Sequence, residues 1–171
     1  MTTDVKTFTW LDTTAIWRNL MSKLNSFTFK WAPRLLSVLR VIIAFLFMQH
    51  GAQKLFGFLA AQPAATPSLI SMVGIAGVLE FFGGLLILLG LFTRPVGFIL
   101  SGLMAVAYFM AHAPQGFWPV RNGGELAVVY CFAFLYMAVA GGGTWSLDQV
   151  LRHGKRLPDF GPASHEVRKA A

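Results

Sequence analysis

The sequence predicts an all-α membrane protein: a bundle of four transmembrane helices with an amphipathic N-terminal segment and a short basic C-terminal tail. Two observations predict this fold. Apolar residues make up 56% of the 171-residue chain and charged residues only 12%, about half the charged share of soluble domains. The apolar residues also fall into four long runs separated by turns that contain proline or glycine. A membrane-spanning helix needs about 20 such residues.

The four predicted spans occupy residues 35–56, 68–92, 96–113 and 125–140. The prolines Pro63 and Pro67 mark the first connecting loop, and Thr93-Arg94-Pro95 is predicted to break the chain between the second and third spans. A loop over 114–124 precedes the fourth span, which ends at three consecutive glycines. The third and fourth spans are near the minimum of about 17 residues. The membrane domain is therefore predicted at 35–143.

The two ends of the chain are predicted to lie outside the membrane. Residues 1–34 contain a helical stripe of Trp17, Leu20, Met21 and Leu24, which favours an interfacial helix over 14–24. A loose basic tail is the alternative. The first span is expected to act as an uncleaved insertion signal. In the tail, 144–171, Ser146 begins a short surface helix, and disorder is expected beyond Pro158.

The positive charge is concentrated in the parts that the prediction leaves outside the membrane. The chain carries 14 Lys and Arg against 7 Asp and Glu. These cations cluster before residue 35 and after residue 151, and Arg94 lies in the turn between spans two and three. With four crossings all three regions fall on one side, which the positive-inside rule makes cytoplasmic. The expected partner of this charge is the lipid bilayer, and nucleic-acid binding is not expected.

Ionisable groups inside the membrane are costly and indicate functional sites. The rise per residue of an α-helix, about 1.5 Å, places Glu80 near mid-membrane and His50, Lys54 and His112 toward the outer side. A polar pocket open to the outer face is predicted, in which Glu80 pairs with Lys54 or with Arg40. The alternative is a purely structural ion-pair network. The candidate pocket residues are Arg40, His50, Lys54, Glu80, His112, Trp118, Asn122 and Glu125.

Metal and haem chemistry receive little support from the residues. His50 and His112 lie at similar predicted depth and could bracket a haem iron or hold a simple metal ion, but no HxxxH or HxxE spacing supports either. No metal ligand is therefore assigned. Cys131 is the single cysteine, so a dithiol couple within the chain is excluded.

The sequence resembles the DoxX family of small bacterial inner-membrane proteins. The resemblance extends over about residues 35–150 and rests on four short stretches in order: His50–Gly57, Glu80–Arg94, Phe117–Glu125 with the preceding His112, and the turn into Trp145–Asp148. It implies a four-helix bundle in the bacterial inner membrane. It also implies an association with thiosulfate:quinone oxidoreductase and with complexes that handle oxidative and thiol stress, although many members have no assigned activity.

Three functional hypotheses remain open. The first is a redox-associated subunit that binds a quinone or similar small molecule, its electrons supplied by a partner protein or an external sulfur compound. His50 and His112 then contact the ring oxygens, and Glu80 with Lys54 sets the electrostatic field at the ring. The entrance of the pocket is formed by Phe117, Trp118, Asn122 and Glu125. The second is a non-catalytic anchor for a soluble or membrane oxidoreductase, bound through the basic termini. The third is a proton or solute pathway along Arg40, Glu80 and His50, which requires a homo-oligomer.

Overall fold

A computed structural model describes residues 13–57 and 67–154, with side chains placed over 17–57 and 67–152. Within these residues every regular element is helical. The predictions made for residues 1–12, for the proline loop around Pro63 and for the tail beyond residue 154 lie outside the described residues.

The described chain forms six helical elements. The first is α1 (Thr13–Phe56). Helix α2 (Met72–Leu89) contains a π-helical turn over Leu79–Gly83. Helix α3 (Thr93–Gln115) contains a second π-helical turn over Tyr108–His112 and ends in one 3-10 turn. The remaining elements are the short α4 (Pro119–Asn122), α5 (Glu125–Ala140) and α6 (Leu147–Gly154).

Three of these helices are long and apolar enough to cross a membrane. They are Trp17–Phe56 within α1, the 18-residue α2 and the 23-residue α3. Helix α5 is also apolar but has 16 residues, about 24 Å of helix against a hydrocarbon core of about 30 Å. The all-helical membrane architecture is thus confirmed, and a fourth crossing by α5 stays a prediction.

Helix α1 differs from the prediction in being continuous. The sequence divides an interfacial segment from the first span near residue 34, whereas α1 runs through Pro33 without a break and has 44 residues. Proline removes one backbone hydrogen bond from a helix. Here the Pro33 carbonyl accepts hydrogen bonds from the Ser37 hydroxyl and, at 3.4 Å, from the Thr144 amide. The hydrogen bond from Thr144 joins α1 to the segment after α5 at the position of the proline.

The chain reverses between α2 and α3 three residues earlier than predicted. Gly90 adopts the left-handed conformation at φ 68° and ends α2, and Phe92 follows at φ 51°. Thr93, Arg94 and Pro95 form the first turn of α3 rather than a break. Proline is tolerated there because the amides of a first helical turn have no intrahelical partner.

The core is small and is formed by residues of α1, α2, α3 and α5, among them the fully buried Ala44. Phe47 of α1 packs against Phe134 and Tyr130 of α5, with ring centroids 4.7 and 5.1 Å apart. Ile87, Leu100 and Met137 complete the fully enclosed positions. The outward faces carry many exposed large apolar side chains, among them Phe98, Phe132 and Val139. Such a surface is suited to lipid and not to water.

Asp148 of α6 holds the start of α3. Its carboxylate oxygens accept hydrogen bonds from the amides of Phe92, at 2.8 Å, and Thr93, at 2.9 Å. Partial burial raises the pKa of this carboxyl. The amide hydrogen bonds and the positive charge of Arg152 outweigh that effect, so the pKa lies below its ordinary value.

This geometry predicts acid-sensitive stability. A carboxyl whose pKa is lowered by folding stabilises the protein above its unfolded pKa, and that contribution is lost as the pH falls through the lower, folded value. Asp148→Asn keeps the size but offers one acceptor oxygen, and we expect it to lower the free energy of unfolding by about 1 kcal/mol at neutral pH. Denaturation curves should show a constant difference in stability at higher pH and a difference that shrinks as the pH is lowered below the ordinary aspartate pKa of about 4. Parallel curves would contradict this role.

Candidate functional site

Arg40 is separated from the other candidate pocket residues. Its guanidinium is buried and donates hydrogen bonds to four backbone carbonyls, which we call the Arg40 junction: those of Ile87, Leu88, Gly142 and Trp145. Two of these carbonyls belong to the last turn of α2, and the Ile87 carbonyl also accepts a hydrogen bond from the Gly90 amide. The junction thus joins α1, the end of α2 and the segment after α5.

Lys54 is the ion-pair partner of Glu80. Its ammonium lies 2.5 Å from Glu80 Oε1, which decides between the two partners that the sequence left open. Ile87 follows Glu80 by seven residues, about 10 Å along α2, so the Arg40 junction and the Lys54–Glu80 pair lie at different depths. The column from Arg40 through Glu80 to His50 is therefore interrupted.

Two glycines allow the close approach of α1 and α2 that this pair needs. A Cβ atom at Gly51 would clash with the Phe81 backbone nitrogen and lie 2.9 Å from the Gly77 carbonyl oxygen. A Cβ at Gly77 would lie 3.0 Å from the Lys54 Cβ. Small residues permit such helix contacts in membranes. Glu80 itself lies in the π-helical turn of α2, and π-turns are frequent at functional sites.

Glu80 is a buried acid with unused hydrogen-bonding capacity. Its side chain is 3% exposed, whereas the Lys54 side chain is 34% exposed. Oxygen Oε2 is buried, and it has no hydrogen-bond partner among the residues that the structure describes. Glu80 is therefore a buried carboxylate with one oxygen paired to the partly exposed Lys54 and the other without a described partner.

Tyr130 forms one wall of a cleft at this end of the bundle, which we call the His50 cleft. Its volume is about 340 Å³, and it is lined by Leu46, Gln49, His50, Gln53, Leu126 and Tyr130. His50 is exposed, and its ring stands edge-on to the Tyr130 ring at 6.1 Å between centroids. The exposed Leu46 and Leu126 form an apolar rim, so the cleft offers polar groups within an apolar mouth.

His112 belongs to a second polar group, built around Asn122. The imidazole Nδ1 lies 3.0 Å from the Asn122 carbonyl oxygen. Because a carbonyl only accepts, Nδ1 carries the hydrogen, and Nε2 of the neutral ring is left as an acceptor. The buried Asn122 side chain donates to the Gly116 carbonyl and accepts from the Gly124 amide, at 2.7 and 2.8 Å. Asn122 therefore fixes the loop before α5.

The other predicted pocket residues point to solvent or lipid. Trp118 is 61% exposed and packs edge-on against Phe117. Glu125 is exposed in the first turn of α5. In the described part of the chain, no hydrogen bond, ion pair or ring contact joins His112, Trp118 or Glu125 to the Lys54–Glu80 pair. The structure thus forms two groups at this end: the His50 cleft with its ion pair, and the His112 loop.

No group of three or more His, Cys, Asp or Glu residues that could hold a metal ion occurs among the described residues. Cys131 lies 3.5 Å from the Ser101 hydroxyl, between α5 and α3. This is a weak hydrogen bond between two small side chains, in which either group can donate.

Tyr130 is a residue of the site that the sequence did not predict. Helix α5 is apolar around its whole circumference, so amphipathicity does not distinguish its faces. A weaker signal was available, since Tyr130, Phe134 and Met137 recur at helical spacing and all three are buried. The only hydroxyl on that stripe is the one that reaches the cleft.

Comparison with known proteins identifies the family. A family model described as DoxX matches residues 35–113. An uncharacterized protein of Haemophilus influenzae is 42% identical over 123 residues, which cover 70% of this chain and 92% of the relative. Two Escherichia coli relatives, inner membrane proteins YqjF and YphA, are 28% and 29% identical, over 67% and 75% of this chain and 89% and 99% of their own lengths.

No solved structure matches the chain. The identity with the Haemophilus relative and the matched family model agree with the resemblance seen in the sequence. The chain is a membrane protein that belongs to the DoxX family.

Proposed function

We propose that this protein is a redox-associated subunit of the bacterial inner membrane that binds a quinone in the His50 cleft. One observation carries the proposal. An exposed imidazole and a tyrosine share a cleft with an apolar rim, and the Lys54–Glu80 ion pair lies about one helical turn along α1 from that imidazole. The names of YqjF and YphA support the location.

The cleft suits a flat apolar ring that carries two acceptor oxygens. His50 can donate a hydrogen bond to one oxygen, while Leu46 and Leu126 contact the faces of the ring. His112 is proposed as the partner of the second oxygen, with Nε2 accepting a hydrogen bond from the hydroxyl of the reduced quinol at this position. The loop held by Asn122 forms the entrance together with Trp118 and Glu125. A ligand dissolved in the bilayer reaches this cleft directly, because its rim is exposed on the apolar surface.

Quinone reduction consumes two protons as well as two electrons. Lys54 is partly exposed, Glu80 lies next to it, and His50 precedes Lys54 by about one turn of α1 and stands against Tyr130. This order of groups supports proton delivery to the ring oxygen on His50. The electrons come from a partner oxidoreductase or an external sulfur compound, since one cysteine cannot form a dithiol couple.

Substitution of His50 tests the proposal. We expect His50→Phe, which keeps a ring against Tyr130 and removes both nitrogens, to weaken binding of a short-chain benzoquinone about tenfold, as for one lost hydrogen bond. His50→Gln should restore part of the affinity. Binding is measured by titration of purified protein in mild detergent, with Tyr136→Phe on the opposite end of α5 as control.

Parallel measurement of His112→Phe separates two versions of the proposal. Equal losses for His50→Phe and His112→Phe support contact of both histidines with the ring, and a loss for His50→Phe alone confines the ligand to the cleft. Wild-type affinity in both variants, with the fold intact by circular dichroism, would contradict quinone binding at this site.

We further propose that α5 completes four crossings and that both termini are cytoplasmic. Arg94 and Arg152 lie at the end of the bundle that the Arg40 junction marks, and the basic residues of α1 before Arg40 extend beyond it. This distribution fits the positive-inside rule. A reporter enzyme active only outside the cytoplasm should be inactive when fused after residue 154 and active when inserted at residue 118.

A further inference from the structure

A second cavity lies at the opposite end of the bundle from the His50 cleft. Its volume is about 590 Å³, within the range of small-molecule sites. We call it the Arg94 pocket and define it by Leu36, Arg94, Tyr136, Ala140, Asp148 and Arg152. It lies where α2 ends, α3 begins and α5 ends, which for membrane helices is the level of the lipid headgroups.

The pocket has a net positive charge, because Arg94 and Arg152 line it together with the single carboxylate of Asp148. Arg94 and Arg152 are exposed, and neither makes a hydrogen bond or ion pair within the part of the chain that the structure describes. The carboxylate of Asp148 is engaged by the amides of Phe92 and Thr93. Two guanidinium groups thus face one carboxylate that is already hydrogen-bonded. Guanidinium groups bind phosphate through paired hydrogen bonds.

The rest of the lining is apolar and favours an amphiphile. Leu36 of α1 and Ala140 of α5 contribute aliphatic surface, and Tyr136 is 58% exposed with an aromatic body and a polar tip. Tyrosine is enriched at the membrane–water interface for this reason. The arginines can hold a phosphodiester while acyl chains follow the aliphatic side of the pocket into the bilayer.

We propose that the Arg94 pocket binds the headgroup of an anionic phospholipid. Basic pockets between membrane helices are known to hold such headgroups. The proposal is independent of quinone binding, because the two sites lie at opposite ends of the bundle and share no residue.

Lipid binding to the full chain tests the proposal. The protein is titrated in mild detergent with phosphatidylglycerol and, separately, with phosphatidylcholine, and bound lipid is counted by native mass spectrometry. We expect a preference for phosphatidylglycerol. Each arginine should contribute about fivefold, so Arg94→Gln with Arg152→Gln should lose about 25-fold in affinity. The control is Lys23→Gln with Arg121→Gln, which has the same net charge and an unchanged pocket.

Each outcome decides for or against the site. An equal loss in the control would show diffuse attraction to the basic surface and overturn the proposal. Displacement of the lipid by inorganic phosphate at a similar concentration would show a free-anion site and overturn it as well. Should the double variant fail to fold, Ala140→Phe fills the pocket at constant charge. Loss of the preference in that variant supports the site, and an unchanged preference contradicts it.

Discussion

Replacing Arg40 with alanine is expected to lower the free energy of unfolding by about 4 kcal/mol, the largest effect of any single substitution considered for this protein. The guanidinium supplies the donors for four carbonyls in a region that excludes water. Alanine removes all of these donors at once, and a buried carbonyl that loses its donor is costly. Of the four carbonyls, that of Ile87 keeps a second donor, the Gly90 amide. Unfolding in detergent, followed by circular dichroism against a denaturing surfactant, measures the loss.

Two matched variants identify the cause. Arg40→Lys keeps the charge but replaces the planar guanidinium and its several N–H donors with one ammonium group. We therefore expect an intermediate loss of unfolding free energy. Arg94→Ala removes an exposed arginine and should change stability by less than about 0.5 kcal/mol. If Arg40→Ala were as stable as Arg94→Ala, the Arg40 junction would have no part in holding α1, α2 and the segment after α5 together.

Gly51→Ala is expected to have the next largest effect, about 3 kcal/mol, because the added methyl group meets backbone atoms of α2. The Phe81 nitrogen and the Gly77 carbonyl oxygen belong to α2 and cannot move as a flexible side chain can. The helices must separate, which lengthens the Lys54–Glu80 ion pair. We expect reduced thermal stability together with weaker quinone binding.

Gly102 provides the control for this substitution. It lies in α3, also a helix, and no atom of the described protein would lie within 4 Å of a Cβ there. Alanine is favoured over glycine in a helix by up to about 1 kcal/mol. Gly102→Ala should therefore be neutral or slightly stabilising. Destabilisation of both variants to the same extent would show that glycine is needed for a reason other than the contact with α2.

Most of the helical layout followed from hydropathy and from the turn residues. The end of α1 at Phe56 and the whole of α5 lie where the sequence predicts them. The chain reverses between α2 and α3 at Gly90 and not at the predicted Thr93–Pro95. Gly90 with its positive φ ends α2, and Pro95 is accommodated in the first turn of α3. The contacts that the Pro33 carbonyl makes include one with Thr144, which is distant in sequence and which no local pattern predicts.

The sequence predicts which residues belong to the candidate site better than it predicts how they are arranged in space. Helical spacing correctly places Arg40 and Lys54 on one face of α1, and both side chains reach α2. Spacing does not tell which of them lies level with Glu80, because that depends on how α1 and α2 are aligned along their axes. The distance from Arg40 to Gly142 and Trp145 spans more than 100 positions in sequence, which no local pattern records.

The length of α1 has a mechanical consequence. Residues 13–39 precede the Arg40 junction and extend for about 40 Å as one helix. No loop separates this arm from Lys54, so a tilt imposed on its far end is carried along the helix axis into the bundle. Proline is where a helix bends most readily, and Pro33 is held by Ser37 and Thr144. Residues 13–32 can therefore pivot about Pro33, and their movement acts on the Arg40 junction.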